Sequence, residues 1–278
     1  MTLLILDDSL TPLLSSAPFE AVAALEGDTV RNKEGRRTFK TRIGERNYFV
    51  KYHQGIGWKE ITKELTQFRL PITSAYNEYR AIKAIQQLGI ATTNPAAIGV
   101  RGLNPAYTES FLITEAIENA VTLQDVTANW PQQKPARAFK RALIQEVARI
   151  ARAMHGAGIN HRDFYLCHFR IDQETAQNQD SKNIKLHLMD LHRAQLRAKV
   201  PQRWLIKDLG ALLFSAADIA LTRTDYLRFV AHYSNRSPSQ ELRENQAFWQ
   251  AVHRRANKFY QRDWKRPMPN AFGRQVQK

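Results

Sequence analysis

Four charged side chains follow one another along the chain in an order that suits the transfer of a phosphoryl group. Such a reaction needs a cation on the nucleotide phosphates, a carboxylate that accepts the proton of the attacking hydroxyl, and a carboxylate that holds a divalent metal. Lys51, Asp163 and Asp190 are of the right types for these three roles. Glu78 lies between the first two in sequence and is of the right type to orient the lysine.

Asp163 ends the tripeptide His161-Arg162-Asp163, inside the run INHRDFYLCHF that ends at Phe169. His-Arg-Asp is the signature of a kinase catalytic loop, in which an Asn five residues after the Asp holds a metal. Here that fifth position is His168. A tripeptide alone is weak evidence, since it occurs by chance in basic chains. Its meaning depends on the elements that surround it.

The segment before Lys51 has the alternation of a β-hairpin. Phe39, Thr41 and Ile43 alternate with basic residues, the turn residues of 44–47 follow, and Tyr48 to Lys51 forms a second strand. This predicts Lys51 on a strand, as a phosphate-binding lysine requires, although a solvated lysine at a strand edge has the same pattern. Gly35 precedes the hairpin where a phosphate-binding loop would lie, but one glycine is a weak signal.

Two helices are predicted next. Over Lys59–Leu70 the apolar residues fall on one face among basic ones, which fits either a packed helix or a basic helix on a membrane surface. A second helix starts near Ser74 and ends at Gly89, with Glu78 on the stripe that packs inward. An inward Glu78 would pair with Lys51, whereas the alternative is an ordinary surface glutamate.

Two more strands, 97–101 and 110–114, complete the predicted small lobe. The backbone of Glu115 and Ile117 then lies where a kinase chain binds adenine. We therefore predict two domains in an α+β fold of the bilobal, protein-kinase-like type. Residues 1–115 form an N-terminal extension and a β-rich lobe, and residues 116–278 form a mostly helical lobe that ends in a basic helical region.

In the second lobe, a buried helix over 136–155 leads into the His-Arg-Asp run. Strands 169–171 and 184–188 flank a polar loop, 173–182, so that Asp190 follows a hairpin that begins at the catalytic loop. That is the position of a metal-binding Asp. Asp208 lies inside an apolar helix over 204–221, and a buried carboxylate must accept hydrogen bonds. We therefore predict a structural role for Asp208 in holding the catalytic-loop backbone.

Charge and cysteine content narrow the possible partners and compartment. The 278-residue chain is 43% hydrophobic and 24% charged, as expected of a globular protein, and carries a net charge of +15. Residues 31–69 and 223–278 hold most of the excess, which implies a nucleic acid, a phosphorylated substrate, an acidic protein or an anionic membrane as partner. The single cysteine, Cys167, fits a reducing compartment. Neither a secretory signal nor a spanning segment is predicted.

The motifs together resemble the lipopolysaccharide kinases of Gram-negative bacteria, and among them most of all the core heptose(I) kinases. The resemblance covers about residues 30–233, and its most specific part is HRDFYLCHF, supported by GIGWKEI at 55–61, Asn77-Glu78 and MDLHR at 189–193. It implies ATP-dependent phosphorylation of the first heptose of the inner core, at its 4-hydroxyl. It also implies a peripheral protein on the cytoplasmic face of the inner membrane.

The resemblance further assigns roles to individual residues. It makes Asp163 the catalytic base, Lys51 the phosphate-binding lysine with Glu78 as its partner, and Asp190 the Mg²⁺ ligand. His168 replaces the usual Asn, and because Mg²⁺ prefers oxygen ligands, direct coordination by His168 is in doubt.

Other classes remain open on the sequence alone. The kinases for Kdo or for the second heptose are the nearest alternatives, and a protein kinase is less favoured because D-F-G and A-P-E are absent. Aromatic residues interleaved with basic ones over 249–266 would suit nucleic acid, but a helix with a basic face has the same spacing, and we expect no nucleic-acid partner. A zinc site or a thiol nucleophile at Cys167 is disfavoured by the single cysteine and its aliphatic neighbour.

Overall fold

The computed structural model describes residues 2–33, 35–66 and 73–269. The chain divides into two compact units. The first comprises Met1–Ala84, Thr93–Glu118 and Leu191–Arg193. The second comprises Ile85–Thr92, Asn119–Asp190 and Ala194–Lys278.

The first unit is built on a six-stranded antiparallel sheet in the order β1-β5-β6-β4-β3-β2. Its strands are β1 Thr2–Leu6, β2 Asp28–Lys33, β3 Arg36–Ile43, β4 Arg46–His53, β5 Pro95–Arg101 and β6 Glu109–Glu115. The predicted hairpin is β3–β4, and the structure adds β2 and β1 to it. Lys51 therefore lies on β4, between two hydrogen-bonded strands and not at an edge.

Two short N-terminal helices, α1 Thr11–Leu14 and α2 Pro18–Ala24, cover one face of this sheet. Phe19 meets the sheet residue Phe111 edge-on, with ring centroids 5.1 Å apart. Phe39 and Val50 are fully buried in the same core, because alternate residues of β3 and β4 point to one face. The N-terminal segment thus supplies four of the twelve buried residues that the structure describes in this core, Leu10, Leu14, Phe19 and Val22.

Helices α3 Gly57–Thr66 and α4 Tyr76–Gln87 follow β4. In α3, Ile61 is buried but Leu65 is half exposed, so the predicted apolar stripe is only partly covered. The third residue of that stripe, Phe68, lies outside the described residues. In α4, Ile82, Ile85 and Glu78 are all buried, as the stripe predicts.

The second unit is mostly helical. Its helices are α5 Leu123–Thr127, α6 Arg137–Gly156, α7 Gln173–Gln177, α8 Gln202–Ser215, α9 Arg223–Ser234, α10 Pro238–Glu244 and α11 Gln246–Trp264. Its short strands are β7 Ala120–Thr122, β8 Ile159–Asn160, β9 Phe169–Asp172, β10 His187–Leu188 and β11 Gln195–Leu196. They form a β10-β9-β7 sheet and a β11-β8 pair, and α6 packs on α9 while α8 packs on α11.

The structure departs from the predicted elements of this unit at three places. The predicted loop 173–182 begins with α7, because the Asp172 side chain caps it by accepting the N–H of Thr175. The predicted strand 184–188 is reduced to β10. Helix α8 ends at Ser215 and not at 221; the chain then passes through Ala220, which has a left-handed backbone, to Thr222, which caps α9 with a capping box.

Candidate active site

Lys51 and Glu78 form an ion pair in the first unit, as the sequence predicts. The Lys51 Nζ lies 2.6 Å from the Glu78 Oε1. The strand pairs on both sides of β4 fix the lysine backbone opposite Thr38 and Leu112, and Glu78 lies in the first turn of α4. The glutamate side chain is 8% exposed and the lysine side chain 21%. In protein kinases a Lys–Glu pair of this kind positions the lysine that binds nucleotide phosphates.

Gly35 lies in the tight turn between β2 and β3, beside the loop that follows β4. Its backbone has a positive φ of 72°, and a Cβ there would lie 2.7 Å from the Gly55 carbonyl oxygen. The Gly35 carbonyl also accepts the N–H of Gln54. A glycine is therefore required at this turn both by the backbone conformation and by the close approach of Gly55.

Glu115 ends β6, and its carboxylate is engaged by Arg46 at 2.8 Å and by Asn94 at 3.1 Å. Its N–H donates to the Asn94 carbonyl, and the next N–H, of Ala116, donates to Asn47. Glu115 is thus fixed by its neighbours within the first unit. Ile117 is the next candidate donor for an adenine base, and its role stays a prediction.

In the second unit the backbone of the catalytic loop is held by a fully buried carboxylate, Asp208 of α8. Its Oδ2 accepts the N–H of His161 at 2.6 Å and its Oδ1 accepts the N–H of Arg162 at 2.9 Å. His155 lies 3.3 Å from the same Oδ2. Arg162 has a left-handed backbone with φ 76°, an uncommon conformation for a side-chain-bearing residue. The predicted structural role of Asp208 is confirmed by these contacts.

His161 joins the two ends of the predicted hairpin. Its Nδ1 accepts the N–H of Asp163 at 3.3 Å, and its Nε2 lies 2.9 Å from the Met189 carbonyl oxygen. Nε2 must therefore carry the proton and donate it to that carbonyl. Burial lowers the pKa of the His161 imidazole below its usual range, so the ring stays neutral. Since Met189 precedes Asp190, one imidazole fixes the backbone at both candidate catalytic carboxylates.

His168 contacts both candidate catalytic residues, Asp163 and Asp190. Its Nδ1 lies 2.6 Å from the Asp163 carbonyl oxygen and its Nε2 lies 3.5 Å from an oxygen of Asp190. Burial favours the neutral imidazole, but hydrogen bonds to the Cys167 side chain and to Asp163, with the charge of Asp190, raise the pKa of His168 to about 9. A protonated His168 has no lone pair for a metal and acts as a donor.

The donor chemistry of this region fits a magnesium ion that is completed by substrate. Asp190 offers a carboxylate that is 36% exposed, on a left-handed backbone with φ 58°. Among the residues that the structure describes, no group of three or more His, Cys, Asp or Glu side chains is placed to hold a metal ion. Mg²⁺ is commonly bound through one or two carboxylates together with nucleotide phosphates, so Asp190 suffices as the candidate ligand.

Comparison with known proteins gives a consistent result. The model of the lipopolysaccharide kinase (Kdo/WaaP) family matches residues 20–233. This chain belongs to that family. A lipopolysaccharide core heptose(I) kinase WaaP of Pseudomonas aeruginosa is 44% identical over 245 residues, 88% of this chain and 91% of the relative. The Escherichia coli protein of the same name is 39% identical over 245 residues, 88% of this chain and 92% of the relative.

A solved structure agrees with the sequence relatives. The structure described as WaaP in complex with acyl carrier protein has a TM-score of 0.80 and 38% identity, and the match covers 93% of this chain and 99% of that one. The predicted α+β, protein-kinase-like fold is confirmed, as is the resemblance to the lipopolysaccharide kinases.

In this member of the family, the sequence did not reveal how many buried side chains form hydrogen bonds to the catalytic loop. The contacts of His155 and His161 with Asp208 and Met189 depend on the fold of the loop. The one signal in the sequence was the buried Asp208, whose need for donors pointed to the loop.

The basic C-terminal helix α11 packs Trp249 and Tyr260 inward, whereas Trp264 at its end is 57% exposed. Trp249 is 3% exposed and donates its indole N–H to Glu241, and Tyr260 is fully buried. The guanidinium of Arg255 lies 4.1 Å from the centre of the Phe259 ring. Trp249 and Tyr260 are therefore part of the core and are not available for stacking on bases. No helix in the described ranges is long and apolar enough to span a membrane.

Proposed function

We propose that the protein is an ATP-dependent kinase that phosphorylates the first heptose of the lipopolysaccharide inner core, at its 4-hydroxyl. The observation that carries the proposal is that heptose(I) kinases are 39–44% identical to this chain over most of both sequences. Kinases for Kdo or for the second heptose, protein kinases and nucleic-acid binders are not favoured by these relatives.

The residues of the two units supply the parts that this reaction needs. Lys51, oriented by Glu78, binds phosphate oxygens of ATP. Asp163 accepts the proton of the sugar hydroxyl as that oxygen attacks the γ-phosphorus, and the bond to the leaving ADP oxygen breaks. Asp190 would hold Mg²⁺, which would neutralise the charge of the phosphates. His168 keeps the backbone of Asp163 and the carboxylate of Asp190 in place.

The proposal is tested with purified protein, ATP and a heptosylated core acceptor. We expect mass spectrometry to show the gain of one phosphate, and NMR of the product to place it on the 4-hydroxyl of the first heptose. Asp163→Asn should form product at least ~10²-fold more slowly. Transfer to another core sugar would contradict the heptose assignment, and a near-normal rate of transfer by the Asn variant would contradict the role of Asp163.

We further propose that the protein works as a peripheral protein on the cytoplasmic face of the inner membrane. The acceptor is a membrane glycolipid, and a chain of net charge +15 is attracted to anionic headgroups. Helix α3 exposes half of Trp58 and of Leu65 among its lysines, and α11 exposes Arg254 and Lys258. Such amphipathic and basic faces are typical of surface-bound helices.

Charge reversal tests the membrane proposal. Arg254→Glu with Lys258→Glu should weaken binding to anionic vesicles and raise the KM for lipid-linked acceptor, while the KM for ATP stays unchanged. The part-buried Arg255 is left intact because it packs on Phe259. Lys182→Glu with Lys185→Glu changes the net charge equally on an exposed loop and is the matched control. Equal behaviour of the two double variants, at low and high salt, would contradict a role for α11.

An acidic protein is a further proposed partner. The solved relative forms a complex with acyl carrier protein, and the basic surface of this chain is complementary to an acidic protein. The second unit also contains an apolar cavity of about 100 Å³, with walls that include Leu123, Val147, Leu166 and Leu212, which we propose accepts part of an apolar chain. We expect acyl-loaded carrier protein to bind more tightly than the unloaded form by calorimetry. Equal affinity would exclude the cavity from this contact.

A further inference from the structure

Four cationic side chains surround a single indole in the second unit. The Lys207 Nζ lies 4.0 Å from the centre of the Trp204 ring. The guanidinium carbons of Arg162, Arg197 and Arg203 lie 5.4, 5.6 and 5.7 Å from the same centre. One ring stabilises one cation well, at about 0.5–2 kcal/mol. The ring therefore does not explain why four positive charges gather around it.

The pairing of the short strands β8 and β11 brings the backbone of Arg197 to this cluster. Arg197 N–H donates to the Gly158 carbonyl at 2.9 Å, next to the β8–β11 pair, and its Nη1 donates to the Asn160 Oδ1 at 2.5 Å. A Cβ at Gly158 would lie 1.8 Å from the Arg197 carbonyl oxygen. Arg197 is thus held against the strand that leads into the catalytic loop. Its place in the cluster is fixed by backbone and side-chain contacts.

The N-terminus of α8 adds to the positive charge of the cluster. Arg203 and Lys207 lie one turn apart in the first two turns, where acidic residues are ordinarily favoured by the helix dipole. The first turn has no acidic residue, and no side chain caps the helix. Burial and the charge of Arg203 lower the pKa of Arg197 below its usual range. Like charges crowded at a helix N-terminus are relieved when an anion binds among them.

We propose that this cluster, formed by Trp204, Arg162, Arg197, Arg203 and Lys207, binds an anionic group of the acceptor glycolipid beside the hydroxyl that is phosphorylated. The inference rests on the proposed heptose kinase function. Arg162 immediately precedes Asp163 in the chain, so one cation of the cluster belongs to the residue next to the candidate base. The shared chemistry is a carboxylate of a neighbouring acidic sugar or a phosphate of the lipid.

The test combines variants with modified acceptors. The variants are Arg203→Ala, Lys207→Ala and the double variant, and the control is Lys199→Ala, an exposed cation in the same stretch of chain. The acceptors are the intact heptosylated glycolipid, the same molecule with its sugar carboxylates reduced to alcohols, and the same molecule without its lipid phosphates. KM for each acceptor, KM for ATP and acceptor-independent ATP hydrolysis are measured.

We expect the double variant to raise the KM for intact acceptor by about ten-fold or more, as the loss of a charge-assisted hydrogen bond would. KM for ATP and acceptor-independent hydrolysis should remain unchanged. Wild-type protein should lose a similar factor with one of the two modified acceptors, and with that acceptor the double variant should cause little further loss. The modified acceptor that behaves in this way shows whether the cluster binds the carboxylate or the phosphate.

Three results would overturn the proposal. The first is a double variant that behaves like Lys199→Ala. The second is an equal loss with all three acceptors, since removal of the anion then does not remove the effect. The third is a raised KM for ATP with unchanged KM for acceptor, which would assign the cluster to the nucleotide. If wild-type protein phosphorylates no heptosylated acceptor at all, the proposed function itself fails.

Discussion

The two units hold their chemical groups in place by different means. In the first, Lys51 and Glu78 meet side chain to side chain, and each is positioned by its own strand or helix. In the second, Asp208 and His161 bind the backbone of the catalytic loop and leave the side chain of Asp163 uninvolved in those bonds. Removal of either side chain therefore breaks the pair of the first unit. The loop of the second unit is held through its backbone, so we expect its shape not to depend on the side chain of Asp163.

The largest effect should come from removing the carboxylates that the second unit positions. Asp163→Asn and Asp190→Asn should each lower kcat by at least ~10²-fold, through loss of a base or of a metal ligand. The unfolding temperature should change little, because the loop is held through backbone groups, and Asn tolerates the left-handed backbone at 190. Near-normal turnover by either variant would contradict the assigned role.

The Lys51–Glu78 pair should behave as one unit. Lys51→Ala removes a charge from the phosphates and should lower kcat/KM by about 10–100-fold. Glu78→Ala should lower it by leaving the lysine misplaced. The double variant should be scarcely worse than Lys51→Ala alone, since both changes remove the same interaction. A double-mutant cycle that shows additive losses would mean that the two side chains act independently.

Asp208→Asn tests the backbone-held loop. The amide group replaces one acceptor oxygen with a donor, so a buried N–H of His161 or Arg162 loses its partner. We expect a loss of about 1–3 kcal/mol in the free energy of unfolding, measured with urea, together with a lower kcat at unchanged KM for ATP. The exposed Asp263→Asn is the control, with an expected change within about 0.5 kcal/mol. Full stability of the Asp208 variant would show that water replaces the carboxylate.

The smallest expected effect is a loss of folding stability at acidic pH. Burial, with the charges of Arg36, Lys51 and His192, lowers the pKa of His53 to about 3 from its usual 6.5. The unfolded chain therefore takes up a proton below pH 6.5 that the folded chain refuses, so stability falls as pH drops towards 3. Between pH 7.5 and 5 this contributes at most about 2 kcal/mol. His53→Asn should remove that dependence from urea unfolding, and the exposed His232→Asn should keep it.

Much of the fold followed from periodicity. Helix α6 was predicted over 136–155 and spans Arg137–Gly156, because its apolar residues recur every three or four positions. The β3–β4 hairpin and the inward Glu78 followed from alternation and from a helical stripe. The role of Asp208 followed from the cost of burying a charge.

What the sequence did not reveal depends on caps and on distant partners. Helix α7 lies in a polar segment and forms because Asp172 caps it, and α8 ends at Ser215, well before Thr222 caps the next helix. The gathering of cations at Trp204 needs Arg197, which the short β8–β11 pair brings to Gly158. Such contacts leave no periodic trace in the sequence.

The pairing of β1 with β5 delays the folding of β1 while the protein is being synthesised. Thr2 pairs with Arg101 and Leu6 with Ala97, so the first strand made must wait for its partner. A ribosome adds about 5–20 residues each second, so roughly five to twenty seconds pass before β5 follows β1 out. During that interval an apolar strand, Leu3 to Leu6, remains without its native neighbour. The nascent chain therefore offers this segment to chaperones until β5 has been made, and a slow codon stretch before residue 95 would lengthen that exposure.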